Sequence, residues 1–272
     1  MGLRVNTNVA SMTAQRNLAA VTGRLQGNFA RLSSGLRIAS ASDDAAGLGI
    51  SERMRSQIRS YAVAGRNAQD GVSLAQTAEG SLQEVSNNLS RMRELAVQAS
   101  NGTLTTTDRA TLDTEFQALI TEVDRVAGDT AFNGVSLLDG TTASVDIQVG
   151  VDSGDVIAVA LADTTAATLG LTGDVTTAAN AGTALTAIDA AIDTVSTARG
   201  SLGASQNRLG SAISSISSTR ENLSAAESRI RDVDVAMETA DLTRNTIMQQ
   251  AATSILSQAN VQPQLALSLL QG

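Results

Sequence analysis

The chain has 272 residues with 19 Arg, 27 acidic side chains and a formal net charge of -8, yet it contains no His, Cys, Trp or Lys and only one Tyr and three Phe. Thiolate nucleophiles, Ser-His-Asp triads, ordinary zinc sites, Walker A loops and Schiff bases are thereby excluded. Only carboxylate pairs remain for catalysis, and these fall at helix-surface spacing or in Gly/Thr-rich turns, so a non-enzymatic structural or interaction protein with no cofactor and no metal is expected.

The stretch MGLRVNTNVA carries Arg4 and two Asn where a secretory signal needs an unbroken apolar core. After it, Leu18, Val21, Leu25, Phe29 and Leu32 share one helical face. The segment to residue 66 holds nine Arg against three acids, but they are spaced singly and only Phe29 and Tyr61 are available for stacking, so nucleic acid is not an expected partner.

A heptad seam then begins. Met54, Tyr61, Ala68, Ala75, Leu82, Leu89 and Ala96 are seven apart, with Ala64, Ala78, Val85, Met92 and Ala99 offset by three. Gly65, Gly71 and Gly80 interrupt this helix at a cost of about 1 kcal/mol each and require compensation from a close neighbour. A shorter helix over about 108–127, capped by the Thr105-Thr106-Thr107 run, carries Leu112, Phe116, Leu119, Ile120 and Val123 at helical spacing. Val145, Ile147, Val149 and Val151 alternate with polar residues, and with the run from Val156 they predict a β-hairpin at about 144–161. Residues 162–182 are Thr-, Ala- and Gly-rich and read as a surface linker with little to bury. Residues 129–198 hold nine Asp and no base.

The second seam is more regular: Ile188, Val195, Leu202, Leu209, Ile216, Leu223, Ile230 and Met237. Each seam helix would be roughly 70 to 80 Å long. Near the C-terminus Ile247, Ala251, Ile255 and Ala259 form a further stripe, followed by an apolar tail with Leu265, Leu269 and Leu270. These terminal helices are too apolar for water and too short to be stable alone, so they are expected to order on finding partners. No run is long enough to span a membrane. The predicted fold is mainly α: a long antiparallel coiled-coil bundle with a small β-hairpin. Its rod domain is residues 43–237, with terminal segments at 1–42 and 238–272.

Weaker motifs have plain readings. Gly47 and Gly49 lack the third glycine of a dinucleotide loop, and Asp232 with Asp234 lacks the glycine and distal Glu of a calcium loop, so the latter pair reads as polar surface at the end of the second long helix. Asn88, Asn101 and Asn222 head Asn-x-Ser/Thr triplets.

Several ordered blocks, RVNTNVASMTAQRNL, RLSSGLRIASASDDAAGLGISERMR, MRELAVQASNGT, FNGVSLLDG, NLSAAESRIRDVDVA and QQAATSILSQANVQPQLALSLLQG, closely resemble bacterial flagellin. The resemblance implies terminal helices that form an inner tube and order on polymerisation, and long helices with the hairpin that form an outer tube. It also implies a minimal form without the outer variable domains. It makes the protein an exported subunit of the extracellular flagellar filament. Its implied partners are further copies of itself, the export apparatus, the flagellin chaperone, and the cap and hook-filament junction proteins. By motif match, Arg91, Leu95 and Glu115 would be contacts for the host Toll-like receptor for flagellin. The chain ends Gln271-Gly272 where the family has a basic residue after its paired leucines. The competing readings are a hook-filament junction protein and a secreted helical adhesin or immune-binding module.

Overall fold

A computed structural model describes the backbone of residues 7–270 and the side chains of residues 7–261. Among the described residues the helices are α1 (Val9–Ser34), α2 (Ala45–Ala99), α3 (Thr106–Asp129), α4 (Ala178–Arg231) and α5 (Val235–Leu270). The strands are β1 (Ala131–Phe132), β2 (Val135–Ser136), β3 (Ser144–Gln148) and β4 (Val156–Ala160). The chain divides into two compact units, one of residues 57–221 and one of residues 1–56 with 222–272. The division falls within α2 and α4, not at the expected 42/43 and 237/238.

In the unit of residues 57–221, Leu82, Val85, Leu89 and Met92 of α2 are buried, as are Ile188, Val195, Leu202, Leu209 and Ile216 of α4. Met54 and Tyr61, at the start of the first seam, are only half-buried, as are Leu223 and Ile230 at the end of the second. The two helices run antiparallel, as their cross-links show: Arg93 Nε to Asp189 Oδ1 at 2.7 Å and Arg199 Nε to Glu79 Oε1 at 2.8 Å. The shortage of large side chains is met by approach. A Cβ on Gly71 would stand 2.9 Å from Ile147 Cγ1 and 3.2 Å from Leu209 Cδ1, so this glycine is where α2, α4 and the hairpin meet. Gly80 has open space beside it, and its cost is not offset in that way.

The α3 helix begins with a capping box, Thr105 and Asp108 bonding each other's backbone N–H, and places Phe116, Val123 and Ala127 in the core. Asn133 (φ 51°) and Gly134 (φ 81°) form the two-residue turn between β1 and β2, both in the left-handed region that a type I′ turn demands. The larger hairpin pairs Val145 with Val159 and Ile147 with Ile157 and buries Ile157 and Val159.

Residues 162–177 are not a surface linker. Thr164, Ala166, Leu169, Leu171 and Val175 are buried in or beside the core. Side chains of α3 hold this strap by its backbone: Asp124 Oδ1 accepts the Ala166 N–H at 2.7 Å and Asp113 Oδ1 accepts the Val175 N–H at 2.9 Å, while Gln117 Nε2 donates to the Gly173 carbonyl. The composition misleads because short side chains are buried here without periodicity, and the backbone donors find partners on a distant helix. The helix α4 also starts at Ala178, inside the expected linker.

The second seam stops before Met237. The helix α4 ends at Arg231, and Met237 lies in α5 with 69% exposure. The heptad count fails because Val233 N–H turns away to the Gly35 carbonyl and Asp234 starts a new helix by accepting the Ala236 and Met237 N–H groups. Asp234 is thus a helix cap, not incidental surface on α4.

Leu209→Asp will place an unpaired charge in the seam and cost several kcal/mol, whereas Asp124→Ala, freeing one strap N–H, will cost about 1–3 kcal/mol. Thermal unfolding followed by circular dichroism checks the order; equal, negligible losses would show that neither contact supports the core.

Candidate assembly surface

In the other unit α1 and α5 lie antiparallel. Asn8 Nδ2 bonds the Ala259 carbonyl at one end of the pair, and Arg31 faces Glu238 at 3.8 Å at the other. The contact face of α1 is Ser11, Ala14, Leu18, Val21, Leu25, Asn28 and Leu32, and that of α5 is Leu242, Asn245, Gln249, Ala252, Leu256 and Ala259, all buried or half-buried. Both sets follow alternating three- and four-residue steps, the coiled-coil interval. Two asparagines meet in the middle, Asn245 Nδ2 donating to Asn28 Oδ1 at 3.1 Å, both side chains buried. A buried polar pair in a seam of small residues is satisfied in one register only.

This arrangement redistributes the expected stripes. Leu18, Val21, Leu25, Leu32 and Ala259 do face the partner helix. Phe29 does not: it is 56% exposed, because the seam step reaches Asn28 and then Leu32. Ile247 and Ile255 are each 61% exposed and Ala251 is exposed, since the seam steps through Asn245, Gln249, Ala252 and Leu256 and leaves them on the flanks. Leu265, Leu269 and Leu270 lie outside the residues whose side chains are described. Beside the seam a groove is lined by Asn17, Ala20, Val21, Arg24, Met248, Ala251, Ala252 and Ile255. Of the fourteen exposed large apolar residues described, ten belong to this unit: Val9, Met12, Phe29, Ile50, Val235, Met237, Ile247, Met248, Ile255 and Val261.

The loop after α1 locks the helix ends together. Gly35 adopts φ 72° and closes α1, and Arg37 N–H and Val233 N–H then bond the Arg231 and Gly35 carbonyls. Asp44 Oδ1 caps α2 through the Gly47 N–H at 2.9 Å. A Cβ on Gly47 would stand 2.5 Å from Asp44 Oδ2 and 2.8 Å from Ile38 Cδ1, so a larger residue there has to displace the capping side chain. Glu52 accepts from Arg231 at 2.7 Å and from Arg55 at 3.1 Å, and the Arg231 hydrogen bond holds its carboxyl below the ordinary glutamate range. Ser40 N–H and hydroxyl do the same for Asp43.

The α2–α3 patch in the unit of residues 57–221 has a different character. Arg91 pairs with Glu115 at 2.8 Å and with Glu94 at 2.9 Å, all three exposed. These bonds, Glu115 first, hold the guanidinium protonated more firmly than usual. Leu95 is 1% exposed. It belongs to the buried core with Phe116 and is not at the surface as the motif-based expectation requires: four residues on from Arg91 it lies on the same side of α2, about 40° around the helix, where the core covers it. Among the described residues no cluster of three or more acidic side chains is placed to hold a metal, and no helix is long and apolar enough to cross a membrane.

One unit with a seam-packed helical core, and another whose zipped terminal helices leave many large apolar residues exposed, define a helical assembly subunit. Residues 5–143 match the model of the bacterial flagellin N-terminal helical region, and residues 185–270 match that of the C-terminal helical region. The chain belongs to the bacterial flagellin family. It is 49% identical to a flagellin of Halalkalibacterium halodurans, over 98% of this chain and 99% of that one. It is 44% identical to a flagellin of Bacillus subtilis, over 99% of this chain and 100% of that one. A crystal structure of Bacillus cereus flagellin superposes with a TM-score of 0.52 at 38% identity, covering 60% of this chain and 94% of that one. Only the hairpin, the strap and the start of α4 lie between the two matched regions, so this is a minimal flagellin.

Two outcomes test this geometry. Asn245→Ala will leave Asn28 buried without its partner and weaken the terminal pair by about 1–3 kcal/mol, and Asn28→Leu with Asn245→Leu will recover the loss. Hydrogen exchange of the α1 and α5 amides reports both. Because the folded pKa of Glu52 is lowered, its contribution is complete above the unfolded value of about 4.3 and disappears as pH falls through the folded one. Protection of the Arg37 and Val233 amides should therefore drop in that acid window in wild type and be independent of pH there in Glu52→Gln.

Proposed function

We propose that this chain builds the flagellar filament by docking the apolar face that α1 and α5 leave uncovered against other copies of itself. As a flagellin, it is a structural subunit of that extracellular filament. The concentration of ten of the fourteen exposed large apolar residues on the terminal unit carries the docking reading. Exposed patches of this kind on a soluble chain mark interaction surfaces.

In this reading the terminal helices form the inner tube, and the seam-packed unit with its hairpin forms the outer one. The α1–α5 seam is small and partly polar, so the termini open at low cost for export through the flagellar apparatus and order again on docking. Burial of roughly 25 cal/mol per Å² then offsets the ordering entropy. The flagellin chaperone, the cap and the hook-filament junction proteins are the remaining partners of this cycle. For recognition by the host Toll-like receptor, the exposed Arg91 and Glu115 are the contacts. No enzymatic step is assigned to the chain.

Ile247→Asp with Ile255→Asp will leave the circular dichroism and melting of the monomer unchanged and abolish seeded filament growth, since each buried Ile contributes about 1.5–3 kcal/mol at every subunit contact. Deletion of residues 1–32 or 245–272 will have the same effect on growth while the unit of residues 57–221 stays folded. Filaments of normal length in electron micrographs of any of these three proteins would refute the docking assignment.

A further inference from the structure

Two Asn-Gly pairs occur in the sequence, Asn101-Gly102 and Asn133-Gly134, and both are exposed. Their conformations differ. Asn133 and Gly134 are the central residues of the β1–β2 turn, pinned by the pairing of Phe132 with Val135 and of Ala131 with Ser136. Asn101 and Gly102 follow the last turn of α2 outside any ladder.

The Asn101 side chain is folded back on its own backbone. Its Oδ1 accepts the Thr103 N–H at 3.2 Å, closing a ring of atoms that encloses the Gly102 nitrogen. The backbone carbonyl of Asn101, in the same peptide group as the Gly102 N–H, accepts from Arg109 Nη2 at 2.9 Å and from the Leu104 N–H at 3.3 Å. Arg109 is fixed there by a second bond, from Nε to the Ala99 carbonyl at 2.8 Å. Nothing beyond its chain neighbours lies within 4 Å of the position a Gly102 Cβ would take, and Gly102 is exposed, so no distant side chain crowds this residue.

We propose that Asn101 is a self-modifying site at which the Gly102 nitrogen attacks the Asn101 side-chain carboxamide. The Gly102 N–H gives its proton to hydroxide, the nitrogen bonds to Cγ, and the Cγ–Nδ2 bond breaks, Nδ2 leaving as ammonia after taking a proton from water. The resulting five-membered succinimide is opened by water, at one carbonyl to aspartate and at the other to isoaspartate. As the N–H proton leaves, negative charge spreads onto the Asn101 carbonyl oxygen, where the Arg109 guanidinium already donates. The product gains one negative charge, and in the isoaspartate form the backbone gains a carbon, at the connection that Arg109 clasps between α2 and α3.

The test is incubation of the full-length protein at neutral and mildly alkaline pH, followed by peptide mass spectrometry for the one-dalton gain and enzymatic carboxyl methylation for isoaspartate. The Asn101 peptide is expected to convert first, faster as pH rises, while the Asn133 peptide persists. Arg109→Gln should slow conversion by about tenfold, short of the 10²–10³ for a donor in an enclosed oxyanion site because this loop is open to water. Circular dichroism establishes that the variant is folded. In urea, wild type and Arg109→Gln should react alike, which separates the guanidinium contact from any change in the chain's intrinsic reactivity. Equal native rates at Asn101 and Asn133, an unchanged rate in folded Arg109→Gln, or slower conversion of native than of urea-unfolded wild type would each overturn the proposal.

Discussion

With three Phe, one Tyr and no Trp, no point in this chain gathers enough apolar area to anchor a core by itself, so burial has to be spread along helices that stay in contact over many turns. Long seams of small residues follow from this. Alanine at Ala64, Ala68, Ala75 and Ala78 of α2, and at Ala191 and Ala198 of α4, brings backbones close enough for many weak contacts to add up. At Gly71 the side chain is dispensed with altogether. Ion pairs such as Arg199 with Glu79 sit beside the seam and contribute alignment more than energy, because each is partly exposed to water.

The same constraint acts differently on the termini. Three of their large apolar residues, Phe29, Ile247 and Ile255, lie off the intrachain seam, which is made from leucine, alanine, valine and the polar Ser11, Asn28, Asn245 and Gln249. The seam between α1 and α5 thus mixes leucines with small and polar residues, and a good part of the apolar area of the termini faces outward. A helix pair of this kind is weak alone and gains strength in company, the thermodynamic profile of a segment that orders on association.

Much of this was legible in the sequence, because both long helices obey a single periodicity. Ile188 to Ile216 and Leu82 to Met92 are buried as their seven-residue spacing requires, and the alternation from Val145 onward marks the hairpin. What escaped depends on contacts far apart in the chain. The heptad count ran on to Met237 because nothing local announces that Val233 bonds the Gly35 carbonyl. The strap looked like solvent-exposed linker because its anchors, Asp113 and Asp124, belong to another element. In the terminal seam Leu18, Val21, Leu25 and Leu32 mark the packing face of α1, but Phe29, Ile247 and Ile255 do not lie on it, and the polar pair Asn28 and Asn245 does. Leu95 shares a stripe of α2 with Arg91, and only the packing of other elements over it makes it core.

The strap and the hairpin are neighbours in sequence but not equivalent. From Thr164 to Val175 the chain is bolted to α3 through its own backbone, so any lengthening there separates buried residues from their places. Within the turn between β3 and β4 the bonds are local: Val149 and Gly150 N–H reach the Asp155 carbonyl, and residues 152–155 are exposed, with Asn67 of α2 bonding only the Gln148 carbonyl at the strand end. Added chain at that tip has only to return to the same two strand ends, and the entropy of closing a longer loop rises slowly with its length. The hairpin tip is thus the graft site of this minimal chain, the place where a foreign peptide is carried at the cost of loop closure and of no core contact.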